Sequence, residues 1–298
     1  MNESERLLRK PTQSAPLIIA EISSNHNQDL ERARNLVKEA SLAGATAVKF
    51  QLFEVEKLFS PEVLQTSAGH RSRKGWELPR DFVPILANDA RELGMLFGCT
   101  PFDFDAAEFL VPYVDFFKIA SYELLWCDLL SYCGASQIPV ILSTGMATDP
   151  EVWNAVECLE ASGCSDYALL HCVSSYPAPR EETNLSAISA MRQRFRVPAG
   201  WSDHTNDVSV VLRAINRWGA SIIELHFDLD GKGYEAGNGH CWLPQDLAHL
   251  TETLEKDLLL DGNGTKNPTE AELSDVVWRT DPNDGLRPLL GKRQNLWD

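Results

Sequence analysis

The sequence lacks the features that mark several large classes of protein. No apolar run approaches the roughly 20 residues of a membrane-spanning helix, and no Cys-x-x-Cys pair indicates a zinc ribbon or a dithiol redox site. Basic residues are few, since 27 Lys and Arg face 43 Asp and Glu, for a formal net charge of −16. This acidity argues against nucleic acid or an anionic membrane as the main partner. A small anionic substrate remains allowed, because a pocket can concentrate a few lysines.

Two further absences concern the compartment and the fold. The first residues, MNESERLLRKPTQSAP, contain no apolar stretch typical of a signal peptide, so we expect a cytoplasmic protein with reduced cysteines. No Gly-x-Gly-x-x-Gly follows the first apolar segment, which disfavours a dinucleotide-binding open sheet. What is present is a chain of 298 residues, 44% of them hydrophobic, which is enough for a full globular core.

Short β-rich apolar runs alternate with helical patterns along the chain, as in parallel βα units. The runs span residues 17–22, 45–51, 95–99, 114–119, 138–142, 167–172, 197–201 and 221–226. Eight such strands predict a closed (β/α)8 TIM barrel, with a doubly wound open sheet as the alternative. We expect the catalytic barrel to occupy residues 1–260 and a C-terminal tail, 261–298, to pack on it. Residues 53–79 read as a long polar loop on the substrate side of the barrel.

Chemistry in such a barrel lies at the carboxyl ends of the strands. Here nearly every strand end carries a cation, a carboxylate, a hydroxyl or an imidazole: Glu21, Lys49, Gln51, Thr100, Lys118, Ser121, Glu123, Ser143, Thr144, His171, Ser202, Asp203, His204, Glu224 and His226. A buried lysine is costly without an anion, so Lys49 and Lys118 favour an anionic ligand. Internal salt bridges to Glu21 and Glu123 are the alternative.

Hydroxyl groups and imidazoles complete this pattern. The hydroxyl and backbone N–H groups of Ser121, Ser143, Thr144 and Ser202 suit the oxygens of a phosphate, with helix capping as the alternative for each residue alone. His204 and His226 end adjacent strands, so their imidazoles could share one divalent cation. A hydrogen-bonded structural role for each histidine is the competing interpretation.

Seven ordered phrases resemble the N-acetylneuraminate (sialic acid) synthase family. Between about Leu17 and Asp230 they are AEISSNHNQDLERARNLVKEASLAGATAVKFQ, TPFD, FKIAS-x-E, PVILSTGMAT, LLHCVSSYPAP, GWSDHT and IIELHFDLD. The resemblance implies a (β/α)8 barrel that condenses phosphoenolpyruvate with an open-chain amino sugar and uses a divalent metal. That metal is typically Mn²⁺, with Mg²⁺ or Co²⁺ as alternatives. The resemblance covers the barrel domain only, and we expect the protein to lack the family's C-terminal antifreeze-like domain.

Carried over position by position, the resemblance implies that His204 and His226 hold the metal. It implies substrate-binding roles for Lys49, Thr100 and Lys118 at the enolpyruvate carboxylate, for Lys118, Ser121, Ser143 and Ser202 at the phosphate, and for Gln51 and Tyr176 at the sugar. Glu21 and Glu123 would be the acid and base, in either order, and Lys118 would stabilise the departing phosphate.

Departures from the family pattern lie beside the phosphate and the acceptor. Ser174 stands where the family commonly has Asn, so a shorter side chain faces the phosphate. The family's Gly-Pro-Asp segment is replaced by GKGYEAGNGHCWLP, in which Glu235, Asn238 or His240 could take over the sugar contact. The resemblance does not indicate which residue replaces the arginine that the family's C-terminal domain supplies.

These departures leave the acceptor open. We expect condensation of phosphoenolpyruvate with an open-chain sugar, and a different aldose or a phosphorylated sugar is an alternative acceptor. A metal-dependent hydrolase and a catalytically silent barrel acting as a binding subunit are the competing function classes. A homodimer is the assembly that we expect.

Overall fold

The structure, a computed structural model, describes Leu8 and residues 15–293. Across these residues, eight parallel strands close into a barrel in sequence order. They are β1 (Leu17–Ser23), β2 (Ala47–Leu52), β3 (Leu96–Pro101), β4 (Phe116–Ile119), β5 (Val140–Ser143), β6 (Tyr167–Cys172), β7 (Ala199–Asp203) and β8 (Ile222–His226). Because β1 pairs in parallel with β8, the sheet has no open edge. The predicted (β/α)8 TIM barrel is confirmed and the open sheet is excluded.

Helices connect and follow the strands. They are α1 (Leu30–Leu42), α2 (Val55–Leu58), α3 (Pro61–Thr66), α4 (Ala68–Ser72), α5 (Phe82–Glu92), α6 (Phe104–Leu110), α7 (Cys127–Ala135), α8 (Asp149–Ala161), α9 (Ser186–Phe195), α10 (Val208–Asn216), α11 (Pro244–Leu260) and α12 (Leu290–Arg293). The start and end of α1 follow from local sequence. Asp29 caps its first turn by accepting from the Arg32 backbone N–H at 3.1 Å. Gly44 follows with φ +89°, and a Cβ there would lie 2.7 Å from Thr251 Oγ1.

Alternation along the strands separates two apolar layers. On β1, Ile18 and Ile22 belong to the large core between strands and helices, whereas Leu17 and Ile19 fill the barrel interior. Glu21 continues the interior series at the carboxyl end of the strand and is fully buried. The interior face is therefore apolar at the bottom of the barrel and polar at its mouth.

The same change from apolar to polar occurs on other strands. Interior Ala47 is followed two residues later by Lys49, and interior Phe116 by Lys118. Space for the Phe116 ring exists because β3 carries Gly98 beside it, where a Cβ would lie 2.2 Å from the ring. Each lysine thus lies one layer above a close-packed apolar floor.

One sequence-based prediction about local structure was wrong. Residues 53–79 are not an irregular loop: they contain α2, α3, α4 and a 3₁₀ turn at Arg73–Trp76. The N-cap of α8 is Thr148. Glu151 accepts from the Thr148 backbone N–H at 2.7 Å and from its hydroxyl at 2.8 Å. These bonds to the third helical residue hold the start of α8 at Asp149.

The cysteines also differ from expectation. Cys127 on α7 and Cys158 on α8 form a disulfide, so the expectation of reduced thiols was wrong for this pair. The pair is separated by 31 residues, and only the packing of α7 on α8 brings it together. The other cysteines, Cys99, Cys133, Cys164, Cys172 and Cys241, are free and buried.

The chain divides into two compact units, with the division between Leu254 and Glu255. Within the second unit, Asp281 accepts from the Leu290 backbone N–H at 2.7 Å, and Arg293 pairs with Asp284. The barrel boundary at residue 260 and the docking of residues 261–298 stay predictions. Among the described helices, none is both long and apolar enough to cross a membrane.

Candidate active site

One cavity of about 730 Å³ lies at the carboxyl ends of the strands and gathers most of the predicted site residues. Those that line it are Glu21, Lys49, Gln51, Lys118, Ser121, Glu123, Ser143, Tyr176, Ser202, His204 and His226. Two predicted residues lie outside this lining. Thr100 is fully buried and accepts a hydrogen bond from Lys49 Nζ at 3.0 Å, and Ser174 lies beside Gly145. Thr100 therefore contacts the lysine that lines the cavity and does not itself reach it.

The two lysines are buried and each meets a carboxylate. Lys49 Nζ lies 2.6 Å from Glu21 Oε2, so the salt bridge considered as an alternative is present there. Lys118 Nζ lies 3.6 Å from Glu224 Oε1, so its carboxylate partner in the structure is Glu224 and not Glu123. The sequence places Glu224 at a strand end but does not predict its contact with Lys118, because it does not show which strands face each other across the barrel.

Charge balance differs between the two lysines. Burial opposes the charge of Lys49, but the charges of Glu21 and Glu224 outweigh it and raise the pKa of Lys49. Burial dominates at Lys118 and lowers the pKa of that amine in spite of Glu224. An incoming anion would strengthen the charged form of Lys118. Lys118 is thus the cation with the most to gain from an anionic ligand.

Glu123 follows β4 and lines the same cavity. Burial raises the pKa of its carboxyl to about 7, against the opposing charge of Lys118. Its Oε2 atom is buried and has no hydrogen-bond partner among the described residues. A carboxyl group that titrates near neutrality is suited to proton transfer.

A group of hydroxyls surrounds Gly145, just after β5. Ser121 Oγ accepts from the Gly145 backbone N–H at 3.0 Å. A Cβ on Gly145 would lie 2.3 Å from Ser174 Oγ and 2.9 Å from Ser121 Oγ. Within the described chain, the hydroxyls of Ser143 and Ser174 are buried without partners. Unmatched donors in a tight cradle suit the oxygens of an anion.

The two predicted metal-binding histidines lie together at the cavity wall, with ring centroids 5.2 Å apart. His204 Nδ1 lies 2.8 Å from the Val173 carbonyl oxygen, which leaves Nε2 for a cation. His226 Nδ1 lies 2.9 Å from Glu235 Oε2. The Tyr176 ring packs against the His204 ring, with centroids 4.1 Å apart. The arrangement places imidazole nitrogens where a divalent cation could bind.

Glu235 and His240, which the sequence suggested only as sugar contacts, complete a second polar cluster with His226. Burial opposes ionisation of Glu235, but the charge of His226 and hydrogen bonds from His226 and Ser23 lower the pKa of Glu235 to about 2. Burial and the charge of His226 lower the pKa of His240 to about 3. One ligand atom from each of the three residues lies within 4.8 Å of the others. A buried carboxylate beside two imidazole rings is a donor set that fits a divalent metal.

A family model and several known proteins match most of this chain. Residues 36–266 match the model of the NeuB family. The chain belongs to the NeuB family. An uncharacterized protein of Methanocaldococcus jannaschii is 38% identical over 279 residues, 93% of this chain and 79% of that protein. The N,N′-diacetyllegionaminic acid synthase of Legionella pneumophila is 34% identical over 271 residues, 86% of this chain and 76% of that enzyme.

A solved structure of the same family shares the barrel. The N-acetylneuraminic acid (sialic acid) synthetase of Leptospira borgpetersenii, in complex with citrate, aligns with a TM-score of 0.77 at 32% identity. The alignment covers 88% of this chain and 90% of that one. The resemblance to sialic acid synthases is thereby confirmed, and NeuB-family synthases generally depend on a divalent metal.

Proposed function

We propose that this NeuB-family protein is a transferase of carbohydrate biosynthesis that condenses phosphoenolpyruvate with an open-chain sugar. The products are a 3-deoxy-ulosonic, sialic-acid-like acid and phosphate. The observation that carries the proposal is the pair of buried amines, Lys49 and Lys118, which line one cavity with the serine hydroxyls and two histidines. Relatives named as legionaminic, pseudaminic and N-acetylneuraminate-9-phosphate synthases support the reaction class.

The reaction balances with water as the third reactant. Carbon C3 of phosphoenolpyruvate forms a bond to the aldehyde carbon of the sugar, and the aldehyde oxygen takes a proton. Water adds at C2, the bond from C2 to the phosphate oxygen breaks, and a ketone remains. The metal, which we propose to be Mn²⁺ with Mg²⁺ or Co²⁺ as alternatives, polarises the aldehyde when bound.

The chain's own residues supply the other parts of this reaction. Lys118 stabilises charge on the departing phosphate, because it is buried and its ammonium form gains from an anion. Glu123, with a pKa of about 7, donates the proton to the aldehyde oxygen. Glu21 holds Lys49 and accepts from Gln51 Nε2 at 2.7 Å, so it orients both the cation and the amide that faces the sugar.

The acceptor occupies the outer part of the cavity in this proposal. Tyr176 and Gln51 line the cavity, and the segment from 53 to 79 contributes Arg73 and Trp76 to the same lining. Aromatic faces and polar side chains around an open volume suit a sugar. These groups do not distinguish an amino sugar from another aldose, and a phosphorylated sugar remains the alternative acceptor.

We further propose a cytoplasmic location, a homodimer, and a C-terminal tail docked on the barrel. A cytoplasmic location makes the Cys127–Cys158 disulfide unusual, because cytosolic thiols are mostly reduced. Alkylation of thiols during lysis, followed by mass spectrometry of the two peptides, would test the disulfide. Light scattering coupled to size exclusion would test the homodimer.

The test of the reaction is a phosphate-release assay across a panel of aldoses, with mass detection of the product. We expect phosphate only when phosphoenolpyruvate, Mn²⁺ and a suitable sugar are all present. Phosphate release without any sugar would favour a metal-dependent hydrolase. Binding of phosphoenolpyruvate and Mn²⁺ with no release for any sugar would favour a silent binding subunit, and either result would overturn the proposal.

A further inference from the structure

We propose that Glu235 and His240, both carried by the segment between β8 and α11, bind the divalent cation together with His226. The inference deepens the proposed function, because it concerns the metal of that reaction. It differs from the expectation drawn from the sequence, in which the metal-binding residues were the strand-end histidines and this segment contacted only the sugar. His204, whose ring centroid lies 5.2 Å from that of His226, would be a further ligand through Nε2 in this proposal.

The segment is held rigidly over the mouth of the barrel. The Trp242 backbone N–H donates to the His226 carbonyl at 2.7 Å, and the Asp228 N–H donates to the Trp242 carbonyl at 2.9 Å. Asn25, just after the neighbouring strand β1, accepts from the Glu235 backbone N–H at 2.9 Å. These bonds close the segment into a loop whose two ends meet above β8. The backbone that carries Glu235 and His240 is therefore positioned before any ligand binds.

A glycine allows this loop to reach the first strand. At Gly233 a Cβ would lie 2.3 Å from Asn25 Oδ1 and 2.5 Å from Asp228 Oδ1, so a side chain would push the loop outward. Arg32 fixes the same turn by pairing with Asp228 at 2.7 Å. The backbone is thus shaped to bring Glu235 down to the level of His226.

Distances within the cluster approach those of a coordination shell. Metal–nitrogen and metal–oxygen bonds of about 2.1 Å at tetrahedral or octahedral angles place ligand atoms about 3.0 to 3.4 Å apart. Glu235 Oε2 lies 2.9 Å from His226 Nδ1 and 3.9 Å from His240 Nε2. One carboxylate oxygen is therefore within 4 Å of two imidazole nitrogens, and a cation can bridge all three atoms after a small inward shift of His240.

Unmet polar groups indicate a ligand at this place. His240 is 1% exposed, and its Nδ1 has no hydrogen-bond partner among the residues that the structure describes. Its Nε2 meets only the Cys241 sulfur, at 4.0 Å, besides the distant carboxylate. A neutral buried imidazole without a strong hydrogen bond is costly. A cation at Nε2, the nitrogen nearer Glu235, would give this ring the strong partner that it lacks.

The experiment measures metal binding without substrate, so its outcome is independent of the condensation assay. Free Mn²⁺ is followed by EPR during titration of the metal-free full-length protein and of Glu235→Gln and His240→Asn. Lys232→Gln is the matched control, because that side chain lies on the same loop and is 79% exposed. We expect the Kd for Mn²⁺ to rise at least about 100-fold in both variants, beyond the usual effect of an outer-shell partner. The control should stay within about twofold of wild type.

Pulsed EPR of wild-type protein loaded with Mn²⁺ supplies a readout that needs no variant. Nitrogen couplings from His240 in addition to His204 and His226 are expected, and two imidazole couplings alone would overturn the proposal. Unchanged Mn²⁺ affinity in the folded His240→Asn variant, checked by circular dichroism, would overturn it as well. Glu235→Asp, which keeps the carboxylate, should recover part of the affinity lost in Glu235→Gln. Failure of the sugar panel with intact three-histidine couplings would count against the proposed function alone.

Discussion

The two halves of the cavity are built by different means. On the β2 to β5 side, Lys49 and Lys118 occupy interior positions of their strands. Carboxylates on other strands balance the charge of their amines. On the β6 to β8 side, His226 ends a strand, but its closest carboxylate, Glu235, comes from a loop that folds back over the barrel. We name the first the anion half and the second the imidazole half. The register of the barrel strands positions the side chains of the anion half, whereas a loop completes the imidazole half.

This difference separates the expected effects of substitutions. A change in the anion half should weaken phosphoenolpyruvate and leave Mn²⁺ affinity intact, and a change in the imidazole half should do the reverse. Variants that weaken both ligands equally would show that the halves are not independent. The following substitutions test this separation.

The largest effect is expected for Lys118→Met. Loss of the ammonium should lower phosphate release by about 1000-fold, since one donor to a developing oxyanion supplies about 100- to 1000-fold. It also leaves Glu224 buried without its cation, which should lower the free energy of unfolding by about 3 to 5 kcal/mol. Phosphate release and urea unfolding measure the two effects.

A double variant separates catalysis from stability at this pair. In Lys118→Met with Glu224→Gln both charges are gone, so most of the lost stability should return while activity stays low. Recovered activity in the double variant would contradict the assignment of Lys118 to the phosphate. Mn²⁺ affinity should remain near that of wild type in both proteins.

The next largest effect is expected for His226→Asn in the imidazole half. The Kd for Mn²⁺ should rise more than about 100-fold, since loss of a ligand exceeds the 10- to 100-fold effect of an outer-shell partner. Phosphoenolpyruvate affinity, measured by calorimetry in the absence of metal, should change little. An equal loss of both affinities would contradict the separation of the halves.

The anion half is also the half that the sequence predicts well. Period-two alternation puts Leu17, Ile19 and Glu21 on one face, so a polar residue at the end of an apolar strand marks the mouth. This local signal located Lys49 and Lys118 without knowledge of the fold's closure. It did not show that Glu224 partners Lys118, because that contact crosses the barrel interior and depends on its closure.

The imidazole half was predicted only in part for a physical reason. Glu235 and His240 lie in a segment whose path is set by contacts to Asn25, 210 residues before Glu235 in sequence, and to Asp228 within the segment itself. No periodicity encodes such a path. The disulfide between Cys127 and Cys158 was missed for the same reason, since it depends on how two helices pack. Strand-end chemistry is readable from sequence, and loop-borne chemistry needs the tertiary structure.

A smaller effect, with a distinct pH signature, is expected for Glu123→Gln. Because burial raises the pKa of Glu123 to about 7, a proton donor at this position loses its proton as pH rises, and wild-type turnover should fall above about pH 7. The variant should be about 100-fold slower, at the low end for general acid catalysis, and lack this decline. A pH profile of kcat/KM measures both, and a rate that rises through pH 7 would contradict the donor role.

The same pKa shift predicts that Glu123→Gln, although slower, is more stable than wild type at high pH. The folded state holds a proton on Glu123 between its ordinary pKa of 4.5 and about 7, so wild-type stability falls as pH rises through that range. Glu123→Gln removes the cost of a buried ionised carboxylate. Its melting temperature should therefore exceed that of wild type at pH 8 and match it near pH 4.

The smallest effect is expected for Gly145→Ala in the serine cradle. The added Cβ would lie 2.3 Å from Ser174 Oγ and 2.9 Å from Ser121 Oγ, so both hydroxyls must rotate away from their positions. Loss of one hydrogen bond to a charged oxygen costs about 1.5 to 3 kcal/mol, so KM for phosphoenolpyruvate should rise at least about tenfold. Mn²⁺ affinity should not change.

Gly237→Ala is the matched control for this substitution, because a Cβ there meets nothing within 4 Å. It lies on the loop of the imidazole half and should leave KM and Mn²⁺ affinity unchanged. A Gly145→Ala protein with wild-type KM would place the phosphate outside the cradle, and Lys118 alone would then define the anion half. A loss of Mn²⁺ affinity in Gly145→Ala would instead show that the two halves are coupled through the segments after β5 and β6, where Gly145 and Ser174 meet.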